Sequence, residues 1–487
     1  MQPDGNPQTL EEALVVIDDL RTENATLRAQ VAALLARVEE LERRLKQTSQ
    51  NSSKPPSSNP PFLKLPPKKK PSGRKRGGQP GHEGHHREWV PPEKVDEVVD
   101  HWPSHCDNCQ HELPQVLRTE VGEPERYQQT ELPEAPARIT ENRVHTQHCD
   151  GCGHATTADL PPEARSAFGP RLTATVSVLT GAYRMSRRMV EELVRDLFRA
   201  QISLGSVVGC ERVASEAVAP AVEEARTFVQ RQPTAHADET SWREANKRAW
   251  LWILGTPLVI VFLIHAERSR KAARELLGNF AGTLVSDRWP VYHIHKGLRQ
   301  ICWSHLARDF QALSEFKGTV GRLGKELVRH RRTIFRWWHR VRDGTMTRAD
   351  FQRRMKPVRT RVETLLQRGV QTLRLRASGM CWDIVFKHSD ALWTFVDVEG
   401  IEPTNNFGER EIRYGVMWRK TSYGTQSAAG SRFVERMLTV RATLRAQERN
   451  VLAYVTQAIE ASLRGQAPPS LLPASATDGA AALPMAA

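Results

Sequence analysis

The sequence predicts a multidomain chain whose second half is α/β. Three observations predict it: a heptad run near the N-terminus, two CxxC pairs separated by 39 residues, and a change after residue 230 from helical text to strands alternating with helices. The 487 residues allow roughly two to four domains, each with its own core. A formal charge of +14 favours a polyanionic partner, most often nucleic acid, with a merely basic soluble enzyme as the plainer reading. No stretch approaches the roughly 20 apolar residues of a membrane span. The opening "MQPDGNPQTLEEAL" lacks the basic start and apolar run of a signal peptide, so a cytoplasmic, nucleoid-associated location is expected.

Residues 1–48 read as a coiled-coil dimerisation helix. Leu20, Leu27, Leu34 and Leu41 share one register, and Ile17, Asn24, Val31, Val38 and Leu45 share the register three residues earlier. Leucine at d with mostly β-branched residues at a favours a parallel two-stranded coil, and a lone asparagine at a, Asn24, fixes register and dimer state. Glu23 would face Arg28, and Arg37 would face Glu42, across a homodimer; a monomeric amphipathic helix is the alternative. Residues 49–90 form a basic Pro/Gly/Ser-rich linker. Between 51 and 90, nine Lys/Arg stand against two Glu, a net +7. Such text builds no core and is extended or disordered in isolation, either a solvated linker or a strap along a phosphate backbone. Its candidate DNA contacts are Lys68, Lys69, Lys70, Arg74, Lys75 and Arg76.

Residues 91–160 are the expected zinc-binding domain, a small ribbon-like unit. Cys106 and Cys109 in "CDNC" and Cys149 and Cys152 in "CDGC" can offer four thiolates to one tetrahedral Zn²⁺, and a closed site of this kind is structural. A redox CxxC usually occurs once, beside a βαβ pattern. His105, His111, His148 and His154 flank the pairs as alternative ligands or solvated residues, and "RITENRVHTQ" (138–147) alternates like a strand. Residues 161–230 are helical by period. "SRRMVEELVRDLF" (186–198) and "LGSVVGCERVASEAV" (204–218) resemble a helix-turn-helix, against the plainer reading of a short helical hairpin.

Residues 231–319 open the catalytic half. "TAHADETSW" (234–242) ends a short strand on Asp238, and "RAWLWILGT" (248–256) and "LVIVFLIHA" (258–266) are further strands. A helix follows at 268–280, then a strand at 282–289 ending on Asp287, a fifth strand at 299–303, and the helix "SHLARDFQAL". Three successive strands, then strands alternating with helices, with an acid at the end of the first and fourth, is an RNase H-like layout. Carboxylates on neighbouring strands can share two Mg²⁺ about 3.5–4 Å apart, the arrangement used for phosphoryl transfer. Each aspartate could instead be a helix cap or turn residue, and Glu239 and Arg288 offer other local pairings. Residues 320–395 are an arginine-rich helical insertion in which Trp337 and Trp338 read as core, Asp343-Gly344 as a turn and Thr347/Asp350 as a capping box. Residues 396–465 resume the core. Within them "EPTNNFGEREIR" (402–413) is either an exposed helix start, with a Glu409–Arg413 pair of about 0.3–0.5 kcal/mol, or the source of a third metal-binding carboxylate. The tail, 466–487, looks disordered.

Several segments in order resemble bacterial DDE transposases of the insertion-sequence 66 family: "NSSKPPSSN", "GGQPGHEG", the CxxC pairs, "LTGAYRMSRR", "HADETSWRE", "LVSDRWPVY", "CWSHLARDF" and "NNFGEREIR". The resemblance implies an RNase H-like catalytic domain, Mg²⁺-dependent DNA strand cleavage and transfer at terminal inverted repeats, and an N-terminal DNA-binding region. Carried over residue by residue, the acids are Asp238 in "HADET", Asp287 in "VSDRW" and Glu409 after the paired Asn405 and Asn406. His305 stands where the family has its histidine, in a supporting or DNA-contacting role or as packing. Arg410, Arg413, Arg419 and Lys420 are expected phosphate contacts, and Tyr414 replaces the family's usual proline. Some such elements also encode small accessory proteins. The competing readings are a non-catalytic zinc-containing DNA-binding regulator and a structure-specific Mg²⁺-dependent nuclease that does not join strands.

Overall fold

A computed structural model describes residues 9–45, 47–52, 88–113, 125–372 and 375–474. The strap cations Lys68, Lys69, Lys70, Arg74, Lys75 and Arg76 lie outside the described residues. The chain divides into two compact units, Phe62–Ala137 and Met1–Pro61 with Arg138–Ala487. In the smaller unit the Gln128 amide clamps the backbone of Val90, and Arg126 lies over the Trp89 ring. The expected zinc-binding segment is therefore split, with Cys106 and Cys109 in the smaller unit and Cys149 and Cys152 in the larger.

The larger unit begins with α1 (Leu10–Leu45), whose 36 residues extend about 54 Å. Its heptad leucines Leu20, Leu27, Leu34 and Leu41 are 45–66 % exposed. A turn at Thr48–Ser52 follows, where the Asn51 amide donates to Glu315, so the linker starts on the protein surface rather than in solvent. The strands β1 (Thr146–His148) and β2 (Ala155–Thr157) form an antiparallel hairpin around the second CxxC pair. The strand expected over 138–147 is reduced to its last two residues and one beyond.

Three helices come next: α2 (Pro170–Gly181), α3 (Arg187–Phe198) and α4 (Leu204–Gln230). Ser186 and Ser203 cap α3 and α4 by accepting backbone N–H groups of Met189 and Ser206, and Arg199 in the left-handed region ends α3. Val176, Val190, Val194, Ile202 and Val207 make a small core of their own, while α4 continues for twelve residues beyond Val218 and joins the main core.

The sheet is mixed. Its strands are β3 (Thr234–Glu244), β4 (Lys247–Gly255), β5 (Ile260–His265), β6 (Thr283–Ser286) and β7 (Arg299–Ile301), ordered β5-β4-β3-β6-β7. β3, β4 and β5 are antiparallel; β6 and β7 join parallel. The first strand does not end on Asp238. It runs on to Glu244, because Trp242 is buried and Ala245 and Asn246, both at positive φ, supply the two-residue hairpin turn. α5 (Arg270–Leu277) links β5 to β6, and α6 (Trp303–Ser314) follows β7. The helical insertion comprises α7 (Gly318–Arg342), α8 (Arg348–Val370), α9 (Leu375–Lys387) and the short α10 (Ser389–Leu392) and α11 (Thr394–Asp397). It shares one core with the sheet, since Val285 and Ile301 pack with Trp303, Leu327, Trp338 and Phe351. The chain closes with α12 (Asn406–Ser422), α13 (Ala428–Ala446) and α14 (Val451–Leu463).

Edge strand β5 is capped by helix side chains. The N–H groups of Ile260, Phe262 and Ile264 donate to Thr443, Thr439 and Glu435 of α13 at 2.9–3.0 Å. Four helical residues rise about 6.0 Å and two strand residues about 6.6 Å, so the two ladders stay in step. These otherwise unpaired donors are thereby satisfied without another strand. The tail is a correction as well. Residues 468–473 are packed, with Leu471 fully buried and its carbonyl accepting from Gln447, because "SLLP" supplies an apolar anchor; residues 475–487 lie outside the described residues.

Candidate active site

Parallel pairing of β3 with β6 matches His236 with Val285. Continuing that register by two residues places Asp238 beside Asp287, on one face and at the carboxyl end of β6. The Glu239 N–H donates to Asp238 (2.9 Å) and the Trp289 N–H to Asp287 (2.8 Å), fixing one oxygen of each.

Helix α12 reaches the same face through Asn405, which is fully buried. Its Oδ1 accepts from His236 Nδ1 (3.0 Å), its Nδ2 donates to the Ala237 carbonyl (2.8 Å), and its own carbonyl accepts the Glu409 N–H (3.0 Å). One side chain thus ties the start of α12 to the strand residues just before Asp238. Gly408 lies so close that a Cβ would sit 2.9 Å from the Asn405 amide oxygen. The start of α6 docks alongside: the Trp303 N–H donates to Pro403, and Ser304 donates to Asn406. Glu409 Oε1 consequently lies 3.5 Å from His305 Nδ1, 3.8 Å from Cys302 Sγ and 3.9 Å from the Arg308 guanidinium. The other two glutamates face elsewhere: Glu402 accepts from the Trp338 indole (3.1 Å) and Glu411 pairs with Arg410 (3.1 Å). The Glu409–Arg413 surface pair is not formed, because Glu409 turns inward to Arg308 and His305.

Electrostatically the site is crowded with negative charge. Burial, followed by the charges of Glu239, Asp287 and Glu409, holds Asp238 well above the usual carboxylate range. Burial also raises Glu239, Asp287 and Glu409, and Asp287 pushes both glutamates further up. Arg268, Arg288 and Arg299 partly offset Asp287, and Arg308 partly offsets Glu409, whereas the largest influences on Asp238 after burial are three neighbouring acids. Burial lowers His305 to about 3 and His236 to about 4, so both imidazoles are neutral at pH 7. Clustered oxygen donors short of positive charge are the donor set that hard divalent cations take. The buried Nδ1 of His305 also has no hydrogen-bond partner.

Several residues of this site are invisible to motif reading. Glu239 points to the opposite face of β3, where it pairs with Arg268 (2.6 Å) and accepts from Tyr292. Arg268 is layered between Trp289 (3.9 Å) and Trp250 (4.8 Å), bracing the segment after Asp287. Arg288 bridges Asp309 of α6 and Asp383 of α9. A cleft of about 270 Å³ beside Asp287 is lined by Trp289, His305 and Arg308 among others. Only the acid after Asp238 and the "DRW" text hinted at this buttress.

Among the expected phosphate contacts, Arg410, Arg413 and Lys420 are exposed on α12. Arg419 is half-buried and donates to Ser241 and Thr240, tying α12 to β3. Tyr414 lies within α12, its ring between Arg184 (4.4 Å) and Arg441 (3.3 Å) and its hydroxyl on the Ala182 carbonyl. The two CxxC pairs fold into the same turn. In one, the Cys106 N–H donates to His111 and the Gln110 N–H to Cys106; in the other, the Cys149 N–H donates to His154 and the Gly153 N–H to Cys149. The fifth residue of each, Gln110 and Gly153, has positive φ. Backbone N–H groups aimed at the first sulfur hold Cys106 and Cys149 below the usual thiol range.

No helix among the described residues is long and apolar enough to cross a membrane. A search of curated proteins finds no match to the sequence. A family of unknown function (DUF6444) matches residues 1–88. The model described as Transposase IS66 family matches residues 165–432, which is more than half of the 487-residue chain and includes Asp238, Asp287 and Glu409. The chain therefore belongs to the IS66 transposase family.

Proposed function

We propose that this protein is a DDE transposase that cleaves DNA at the terminal inverted repeats of a mobile element and joins the freed ends to target DNA. The observation that carries the reading is the convergence of Asp238, Asp287 and Glu409 from β3, the end of β6 and the first turn of α12. The strand order, three antiparallel strands followed by two parallel ones, supports an RNase H-like core. Two divalent cations of the Mg²⁺ class, held by these three carboxylates, would supply charge neutralisation at the attacking and leaving oxygens of an in-line phosphoryl transfer.

The chain's own residues do the rest. Asn405 sets the distance of Glu409 from β3, and the Glu239–Arg268–Tyr292 buttress holds the backbone that follows Asp287. Arg410, Arg413 and Lys420 meet DNA phosphates along α12, with the strap cations and the α2–α4 module as further DNA contacts. Each CxxC turn presents two sulfurs, the first with backbone N–H groups aimed at it, a local geometry suited to structural Zn²⁺. The apolar seam of α1, exposed in one protomer, supports a homodimer able to hold two element ends together. Incubating the protein with Mg²⁺ and oligonucleotides carrying the element's terminal repeats tests the reading. Cut and joined products are expected from the parent; cutting without joining would make it a nuclease, and binding without cutting a regulator.

A further inference from the structure

We propose that Cys302, His305 and Glu409 form a binding site for one thiophilic divalent cation of the Zn²⁺ or Cd²⁺ class, and that its occupation withdraws Glu409 from the carboxylate cluster and stops strand cleavage. The second half of this statement rests on the role proposed above for Glu409; the binding itself does not. Among the described residues, these three are the group whose sulfur, nitrogen and oxygen donors all lie within 4.8 Å of one another. A tetrahedral Zn²⁺ with bonds of about 2.3 Å to sulfur and 2.0–2.2 Å to nitrogen and oxygen sets sulfur–oxygen and nitrogen–oxygen separations of about 3.6 and 3.4 Å. The chain presents 3.8 Å from Cys302 Sγ to Glu409 Oε1 and 3.5 Å from His305 Nδ1 to the same oxygen. Little rearrangement separates this arrangement from a coordination shell.

The surroundings suit a bound cation. His305 Nδ1 is buried without a hydrogen-bond partner, and in the tautomer protonated on Nε2 its lone pair can take a cation. The Asn405 N–H donates to Cys302 Sγ at 3.2 Å and Cys302 stands at the N-cap of α6, while burial and the Glu409 charge push its thiol up to about 11, so an incoming cation has to displace the thiol proton. The Glu409 and His305 side chains are 36 % and 24 % exposed, which gives an ion a path in. Binding would release the Cys302 thiol proton to solvent and form sulfur–metal, nitrogen–metal and oxygen–metal bonds. Mg²⁺ prefers oxygen donors and does not compete for the sulfur and imidazole, so the site discriminates by ligand chemistry. Because Glu409 belongs to both sets, the two metals compete for one carboxylate.

The test uses the full-length chain, stripped with chelator and titrated with Cd²⁺ while the ultraviolet sulfur-to-cadmium charge-transfer band is followed. The CxxC pairs contribute to this band, so the parent is compared with Cys302→Ser and His305→Gln. The parent is expected to take one sulfur-bound equivalent more than Cys302→Ser, and His305→Gln to bind that equivalent at least about tenfold more weakly. Equal stoichiometry in parent and Cys302→Ser overturns the site. So does parent-like affinity in His305→Gln, since the thiol alone would then be the ligand. In a cleavage assay with Mg²⁺, Zn²⁺ added beyond the share of the CxxC pairs should lower the parent's rate at least about tenfold, and chelation should restore it. A rate untouched by Zn²⁺ overturns the inhibitory half. Absence of cleavage before any Zn²⁺ is added contradicts the transposase reading instead and leaves the binding result standing.

Discussion

Around Asp238 the chain gathers four carboxylates inside a scaffold of buried side chains, whereas along α1 it lays out 36 residues of helix with the apolar seam open to solvent. Both regions are incomplete in a single protomer, and they differ in what would complete them. The acids are already held in place by the β3–β6 register, Asn405 and the buttress, so small ions suffice. Among the described residues the α1 seam has no partner within the chain, and in the proposed dimer it would take its order from a second helix. Preorganisation is thus concentrated where chemistry needs sub-ångström placement, and left to association where it does not.

The largest expected effect comes from the acids themselves. Asp238→Asn should lower Mg²⁺-dependent cleavage at least about a thousandfold. The same substitution should raise metal-free stability by about 1–3 kcal/mol in denaturant melts, because it removes a buried carboxyl whose charged form is disfavoured by burial and by three neighbouring acids. A variant that loses activity and stability together would mean that Asp238 is structural. On the α1 side, Leu27→Asp combined with Leu34→Asp should weaken self-association at least about a thousandfold by sedimentation, while the core melts normally; an unchanged mass would place the dimer contact elsewhere. Asn405→Ala leaves the Ala237 carbonyl and His236 without their partner, a loss of about 2–4 kcal/mol, with cleavage falling as α12 drifts from β3.

A smaller effect lies in the pH dependence. Burial depresses His236 to about 4, below the 6.5 of an unfolded histidine. The unfolded chain therefore binds the extra proton first. The stability contributed by neutral His236 is full above pH 6.5 and is lost as pH falls toward 4. Because the buried carboxylates run the opposite way, losing stability as pH rises, the informative quantity is the difference in melts between the parent and His236→Gln from pH 7 to 5, which should shrink with acidity. A difference independent of pH would show that His236 is not held neutral by the fold.

Much of the architecture could be read because apolar runs such as 248–256 and 258–266 leave few alternatives to buried strands. Long-range pairing was not readable. Nothing local in "HADETSW" says that the strand passes Asp238, since that depends on Trp242 finding the core and on two left-handed residues in the turn. The β5 cap by Glu435, Thr439 and Thr443 looks like ordinary polar helix text until the edge strand lies against it. Arg419 reads as a free cation on a basic helix, yet its contacts are to the neighbouring strand. Cys302 stood only as the first letter of "CWSHLARDF", with nothing local to give it a role, because its neighbours Asn405 and Glu409 are over a hundred residues away.

The most direct measurement compares the glutamates of "EPTNNFGEREIR" under one assay. Terminal-repeat oligonucleotides and Mg²⁺ are given to the parent, Glu409→Ala and Glu411→Ala, with folding checked by thermal melts. Glu409→Ala should show no cleavage above background, and Glu411→Ala, which loses only its pair with Arg410, should cut at close to the parent rate. Cleavage retained by Glu409→Ala, or lost equally in Glu411→Ala, would contradict the placement of the third carboxylate on the inward face of α12.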